Sequence, residues 1–241
     1  MPFRSRRAVP DHLAVEVDGV RLEALLRLNP RARRITLRVD HVHRRAIVTA
    51  PAPRHVARAE RLLRDHAGWL RQRLDALPDA MPFADGGTVP LRGRPHVIRV
   101  DGDLARATIL DDAIMAPSDP ARLCAAMEEA LRAEARADLA EASARHAKTI
   151  DVTFNRIRIG DPARRWGSCS TSGTLSFSWR LVLAPPAVLD YVAAHEVAHL
   201  REMNHGPRFW AHVAALCPDW KTHSAWLKAN GQRLHAVGRA S

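Results

Sequence analysis

The sequence predicts an α+β fold in which a small antiparallel sheet leads into one helix rich in histidine, preceded by an N-terminal β-hairpin/helix subdomain. Three features carry this. Apolar and polar positions alternate over 33–50 and again over 175–183, the period-2 mark of strands with one buried face. Apolar residues recur every three or four positions over 56–77, 120–148 and 186–199, the mark of helices. The 241 residues, 46% apolar and 26% charged, suffice to bury a core without disulfide staples.

Taken in order, RRITLRVDHVHRRAIVTA (33–50) places Ile35, Leu37 and Val39 on one strand and Ile47 and Val48 on a second, joined by a turn. Arg33, Arg34, Arg38, Arg44 and Arg45 crowd this hairpin, as a solvated face or as contacts for phosphate. Pro51 and Pro53 close it, and Val56, Ala59, Leu63, Ala67, Leu70, Leu74 and Leu77 then mark one amphipathic helix. Residues 78–118 are interrupted by prolines and glycines with short β-like runs between them, so the subdomain boundary is expected near 118. This gives a β-rich part with one helix at 1–118 and a second part at 119–241, together forming one unit.

Asp119 is placed to cap a helix and Pro120 to occupy its first position. An alanine-rich helix then runs to about Lys148 with Leu123, Met127, Leu131, Ala135 and Leu139 on one face. After β-like runs at 150–159 and a turn at Gly160-Asp161-Pro162, Leu175, Phe177, Trp179, Leu181 and Leu183 alternate strictly, which reads as a strand over 174–183. Pro185 and Pro186 stop it and open the next helix.

Composition removes several function classes. MPFRSRRAVPDHL has basic residues without the apolar run of a secretory signal, and no stretch approaches the roughly 20 apolar residues of a membrane span, so a cytoplasmic protein without membrane contact is expected. Cys124, Cys169 and Cys217 are odd in number and far apart, which fits reduced thiols rather than disulfides or a thiolate zinc site. A net charge of +11 suits a polyanion such as nucleic acid. An arginine- and alanine-rich composition also arises from GC-rich coding, and no basic run is interleaved with aromatics, so the compositional reading carries more weight.

The chemistry lies in HEVAHLREMNHGPRFW (195–210). Residues four apart on a helix differ by roughly 40° in azimuth and about 6 Å in height, so His195 and His199 can grip one ion while Glu196 points aside, toward where a reacting water would sit. A catalytic zinc commonly takes three protein ligands and leaves one position exchangeable. Were the helix to continue, His205 would face away, so the chain must first turn; Asn204 tolerates a left-handed conformation and Gly206-Pro207 cannot extend a helix. Glu202 is the rival third ligand, but it lies roughly 10 Å along the axis from His195, and His205 is favoured. This ligand set predicts one Zn2+ per chain, a water whose pKa is lowered to about 7, and Glu196 as general base for attack on a carbonyl.

At this point RWGSCSTSGTLSFSWRLVLAPPAVLDYVAAHEVAHLREMNHGPRFW (165–210) resembles the YgjP-like family of metal-dependent hydrolases and metallopeptidases, zincins related to SprT-like and WLM proteases. The resemblance extends from about residue 30 to CPDWKTHSAWLKANG. It implies a zincin-like fold, His195, His199 and His205 as metal ligands, and Glu196 as the catalytic glutamate. It also implies that the strand before the active helix, 174–183, pairs with an extended polypeptide substrate, with Ser176, Ser178 and Arg180 beside it. Tyr191, one turn before His195, is within reach of a substrate carbonyl, although core packing of its ring is favoured. Arg165, Trp166, Gly167, Ser168 and Cys169 are implied to matter without an assigned role; Gly167 is read as a tight-turn residue, Trp166 as packing beside the active helix, and Cys169 as a buried thiol. The leading function is a zinc metallopeptidase. The alternatives are a DNA-associated SprT-like protease and a non-enzymatic module with structural zinc.

Overall fold

In the computed structural model, residues 10–41, 43–102 and 104–239 are described; the first nine, read above for the absence of a secretory signal, lie outside them. The chain divides into two units, Met1–Pro78 and Asp79–Ser241.

In the first unit, β1 (His12–Val17) and β2 (Val20–Leu28) form an antiparallel hairpin that the sequence reading did not anticipate. Its turn, Asp18-Gly19, has φ of 53° and 72°, the pair of positive values that a two-residue hairpin turn requires. The expected strands follow as β3 (Thr36–Asp40) and β4 (Arg45–Ala50), and β4 inserts parallel to β2, giving the order β1-β2-β4-β3. One face buries Leu13, Val15, Ala24 and Val48 against Ala59 and Leu63 of α1 (Val56–Asp65) and Leu70 of α2 (Ala67–Asp75). The single expected helix breaks at His66, whose backbone leaves helical angles at φ −111° and ψ 17° and whose ring donates to Leu62 O.

The second unit begins with β5 (Thr88–Leu91), β6 (Arg94–Asp101), β7 (Thr108–Ile109) and β8 (Ala113–Pro117), in the order β5-β6-β8-β7. Then comes the 30-residue α3 (Pro120–Thr149), whose capping Asp119 carboxylate accepts from Arg122 N at 2.9 Å. The expected boundary near 118 is therefore displaced to Pro78/Asp79. The reason is packing: Val89, Leu91, Ile98 and Ile114 share one core with Leu123 and Met127 of α3. Arg92 also forks onto Glu134 and Asp138 of that helix, at 2.6–2.8 Å.

β9 (Arg156–Gly160), β10 (Gly167–Cys169) and β11 (Thr174–Ser178) form a second sheet in the order β10-β11-β9, antiparallel on the β10 side and parallel on the other, so the sheet expected to be antiparallel is mixed. The expected strand over 174–183 ends at Ser178 and continues as a 3-10 turn, Trp179–Leu183. All five residues of that turn are buried, so no solvent-facing alternate remains to sustain a half-buried strand. α4 (Pro186–Ala198) follows, then α5 (Pro207–Leu216) and α6 (Trp220–Ala236). α4 buries nine of its residues, as a helix apolar on every side must. No described helix is long and apolar enough to cross a membrane.

Arg180 holds this unit together. It is 6% exposed, forks onto Asp161 at 2.8 and 3.0 Å, and donates to Leu234 O and Val237 O at 3.0 and 2.6 Å. Removing Arg180 leaves the buried carbonyls of Leu234 and Val237 without their donor, while the exposed Asp161 carboxylate is solvated. Arg180→Ala is expected to lower unfolding free energy by about 3 kcal/mol, read as a lower urea midpoint at unchanged slope. An unshifted midpoint would deny Arg180 this part.

Candidate metal centre

α4 ends at Ala198 with His199 as its cap (φ −63°, ψ −20°), earlier than the spacing suggested. The chain then coils through bonds from Leu200 N to Val197 O and from Arg201 N and Glu202 N to Ala198 O. Gly206 N closes a tighter turn onto Asn204 O at 2.7 Å. Asn204 does not adopt the left-handed conformation expected of the turn: the residues with positive φ lie elsewhere, and Gly206 is extended at φ −81°, ψ −178°.

This path returns His205 to the helix. Its Nε2 lies 3.2 Å from His195 Nε2, and each of the three imidazoles of His195, His199 and His205 offers one nitrogen within 4.8 Å of the others. Two nitrogens on a tetrahedral zinc at 2.0–2.1 Å sit about 3.3 Å apart, so the donor set fits zinc. His199 Nδ1 donates to Glu202 O at 3.1 Å, which leaves Nε2 bare as the ligating atom. The Glu202 carboxylate pairs with Arg208 Nε at 3.0 Å and stands outside the cluster. Burial, and then the neighbouring histidines, hold His195 down to about 4, and burial also lowers His199. Both rings are thus neutral, as a ligand must be.

Phe209 stacks on His199 with ring centres 4.4 Å apart and meets His195 and His205 edge-on at 4.9 and 4.7 Å. Helix α5 thereby braces all three rings with one apolar side chain. His195 Nδ1 and Glu196 Oε2 are buried and, among the described residues, lack a hydrogen-bond partner. Buried polar atoms are almost always satisfied, so an orphaned carboxylate oxygen beside converging imidazoles fits a reacting group better than a structural one.

Glu196 is 5% exposed and faces β10. A Cβ at Gly167 would lie 2.5 Å from Glu196 Oε1 and 2.6 Å from its Cγ, so only glycine leaves room for the carboxylate. The Cys169 N–H donates to that carboxylate. Burial pushes Glu196 up to about 8, opposed by the charge of Arg165 and by the Cys169 bond. The Arg-Trp-Gly-Ser-Cys run is therefore a cradle for Glu196: Gly167 is a strand residue rather than a turn residue. Trp166 packs on α6, stacked on His235 at 4.7 Å and against Gly231. Burial, then the charge of Glu196, raises the Cys169 thiol, which disfavours it as a nucleophile. Gly167→Ala is expected to displace Glu196 and cut any hydrolytic activity by about 10²-fold or more, the scale of general-base catalysis, with a melt close to wild type; full activity would refute the cradle.

The residues expected to bind substrate are placed differently. β11 is the middle strand, with both edges occupied, so it cannot pair with a peptide. Ser176 stands opposite Ser168, alternating with the core-facing Leu175 and Phe177, on the sheet face away from α4. Ser178 is fully buried and caps the 3-10 turn through Arg180 N, and Arg180 is committed to Asp161 as above. Tyr191 is 7% exposed, bonds Ser224, and is raised above the usual phenol range, first by burial; its ring lies edge-on to His195 at 6.0 Å. It is a packing residue. Ser178 and Arg180 share one cause: alternation in sequence assigns faces only where a strand continues, and this one ends at Ser178.

The edge strands are β9 and β10, and β10 is the one packed on α4. Bonds from Ser178 N to Trp166 O and from Ser170 N to Thr174 O turn the peptide groups of Trp166, Ser168 and Ser170 toward β11, leaving those of Gly167 and Cys169 outward. A cleft of about 470 Å³ opens beside His199, lined by Asn155, Ser170, Thr171, Leu200, Arg201 and Met203.

Among curated proteins nothing matches this chain. A solved structure from Pyrococcus abyssi, the metallopeptidase zymogen abylysin, is similar at a TM-score of 0.37 and 18% identity, over 39% of this chain and 95% of that one. The YgjP-like, metallopeptidase domain family matches residues 33–230, a span that takes in the cradle, the three histidines and most of α6, and the chain belongs to that family.

Proposed function

We propose that this protein is a zinc peptidase that hydrolyses peptide bonds in an extended polypeptide, with His195, His199 and His205 as the ligands of one zinc ion and Glu196 as general base. The observation that carries this reading is the convergence of three imidazoles, from a helix end and the turn after it, beside a buried carboxylate with one unpartnered oxygen.

When bound, zinc supplies Lewis acidity toward the substrate carbonyl and acidifies the attacking water. Glu196 takes the proton of that water at its carboxylate and returns it to the leaving amine. Its burial favours this exchange, because a carboxyl of raised proton affinity is the stronger base. Gly167 leaves the carboxylate its space, and the Cys169 N–H fixes its rotamer. The outward peptide groups of β10 offer the N–H and C=O of Gly167 and the C=O of Cys169 to a substrate strand, by β-augmentation. Ser176, Ser178 and Arg180 have no part in that contact.

A purely structural zinc is less well supported: such sites close with four side-chain ligands, and among the described residues the cluster holds three. The test is incubation of the zinc-loaded protein with a reduced, alkylated unfolded protein. Cleavage that stops on chelation and returns with added zinc supports the reading; cleavage indifferent to chelator overturns it.

A further inference from the structure

The chain's charge is unevenly divided. The first unit, Met1–Pro78, carries seventeen arginines, no lysine and eight carboxylates, a formal +9 of the chain's +11. The metallopeptidase part that follows is nearly balanced, with twenty basic against eighteen acidic residues. Arginine-rich coding would scatter charge along the chain. It does not explain this segregation.

The fold gathers part of this charge at one end of the first sheet. β2 and β4 run parallel, and Leu28 stands opposite Ala50 at their ends. Asn29 N bonds Ala50 O at 2.9 Å, so the loop after β2 and the turn after β4 leave the sheet together. The loop brings Arg31, Arg33 and Arg34; the turn leads through Pro53–His55 into α1 and brings Arg54, Arg58 and Arg61, spaced as one helical stripe. All six are exposed. Among the described residues none is ion-paired, and the first turn of α1 holds no acid.

We infer that this corner binds the phosphodiester backbone of nucleic acid, without base selectivity. Guanidinium forks match phosphate oxygens two at a time, which suits a basic unit built entirely from arginine. A lipid surface fits less well, because an interfacial helix must insert its apolar face, and α1 spends Ala59 and Leu63 on the core of its own unit. This surface lies outside the histidine site and does not rest on the peptidase reading.

The test is fluorescence anisotropy of the full chain with a labelled 20-base-pair duplex DNA and a labelled single-stranded RNA, each of unrelated sequence, between 50 and 200 mM salt. Six phosphate contacts predict an affinity loss of about 10³-fold over that range on the duplex, and a somewhat shallower loss on the single strand. Arg31→Ala/Arg33→Ala/Arg34→Ala is expected to lower the log–log salt slope by about 3. The corresponding triple lysine variant keeps most of it, which separates charge from folding, and Arg156→Ala/Arg158→Ala in the second unit leaves it unchanged. No binding of either nucleic acid at 50 mM salt would overturn the inference. So would a wild-type slope in the triple alanine variant, an equal loss in the second-unit control, or retention by phosphatidylglycerol vesicles alone.

Discussion

Glu196→Gln is expected to lower kcat by 10²–10⁴-fold, the range for loss of a general base, while zinc content stays at one per chain and the fold is retained. Glutamine has the glutamate's shape, so it fills the space that Gly167 leaves and accepts the Cys169 N–H through its amide oxygen. What it cannot do is take a proton. KM for an unfolded protein substrate should change little, because Glu196 is buried at 5% exposure and the proposed substrate contacts lie on β10. Single-turnover cleavage with metal analysis of the same samples separates the cases. Equal rates in the two proteins would strip Glu196 of its role, and loss of zinc from the variant would make it a ligand instead.

His205→Ala is expected to cost zinc affinity by more than the 10- to 100-fold seen when only a ligand's hydrogen-bonded neighbour is lost, and activity should fall with occupancy. Its ring reaches His195 only because the chain turns after Ala198, so the variant removes a ligand without touching the helix core. Acid should act on the same site. His195 is held at about 4 in the fold, against roughly 6.5 in an unfolded chain. The unfolded state therefore takes up the proton first as pH falls, and the fold loses stability through this group between about 6.5 and 4, with no further loss below that window. Zinc is expected to stay bound to below about pH 6, since neutral rings ligate and protonated ones do not. Release at pH 7, measured with a colorimetric chelator, would mean that the three rings do not hold the ion together.

The histidine site was legible because its chemistry is written locally. His195 and His199 are four apart on a helix, and the need for a third ligand requires a turn before His205. The turn's details were not legible: the chain avoids the left-handed conformation that Asn204 suggested, because an early helix end at Ala198 does the same work. The cradle was invisible for a different reason. Gly167 and Glu196 meet across two elements distant in sequence, and spacing carries no information about which elements pack. Arg180 misled because strict alternation over 175–183 looks the same whether the chain continues as a strand or tightens into a 3-10 turn, and only its bonds to Asp161, Leu234 O and Val237 O turn it inward. The hairpin of β1 and β2 is written in Asp18-Gly19 between alternating apolar residues.

The claim beneath the catalytic account is that His195, His199 and His205 ligate one ion together. X-ray absorption at the zinc edge, on protein loaded with one equivalent, tests this most directly. Three imidazole nitrogens at about 2.0–2.1 Å and one oxygen donor are expected, falling to two imidazoles in His205→Ala. A wild-type spectrum with two imidazoles, or one unchanged by that substitution, would contradict it.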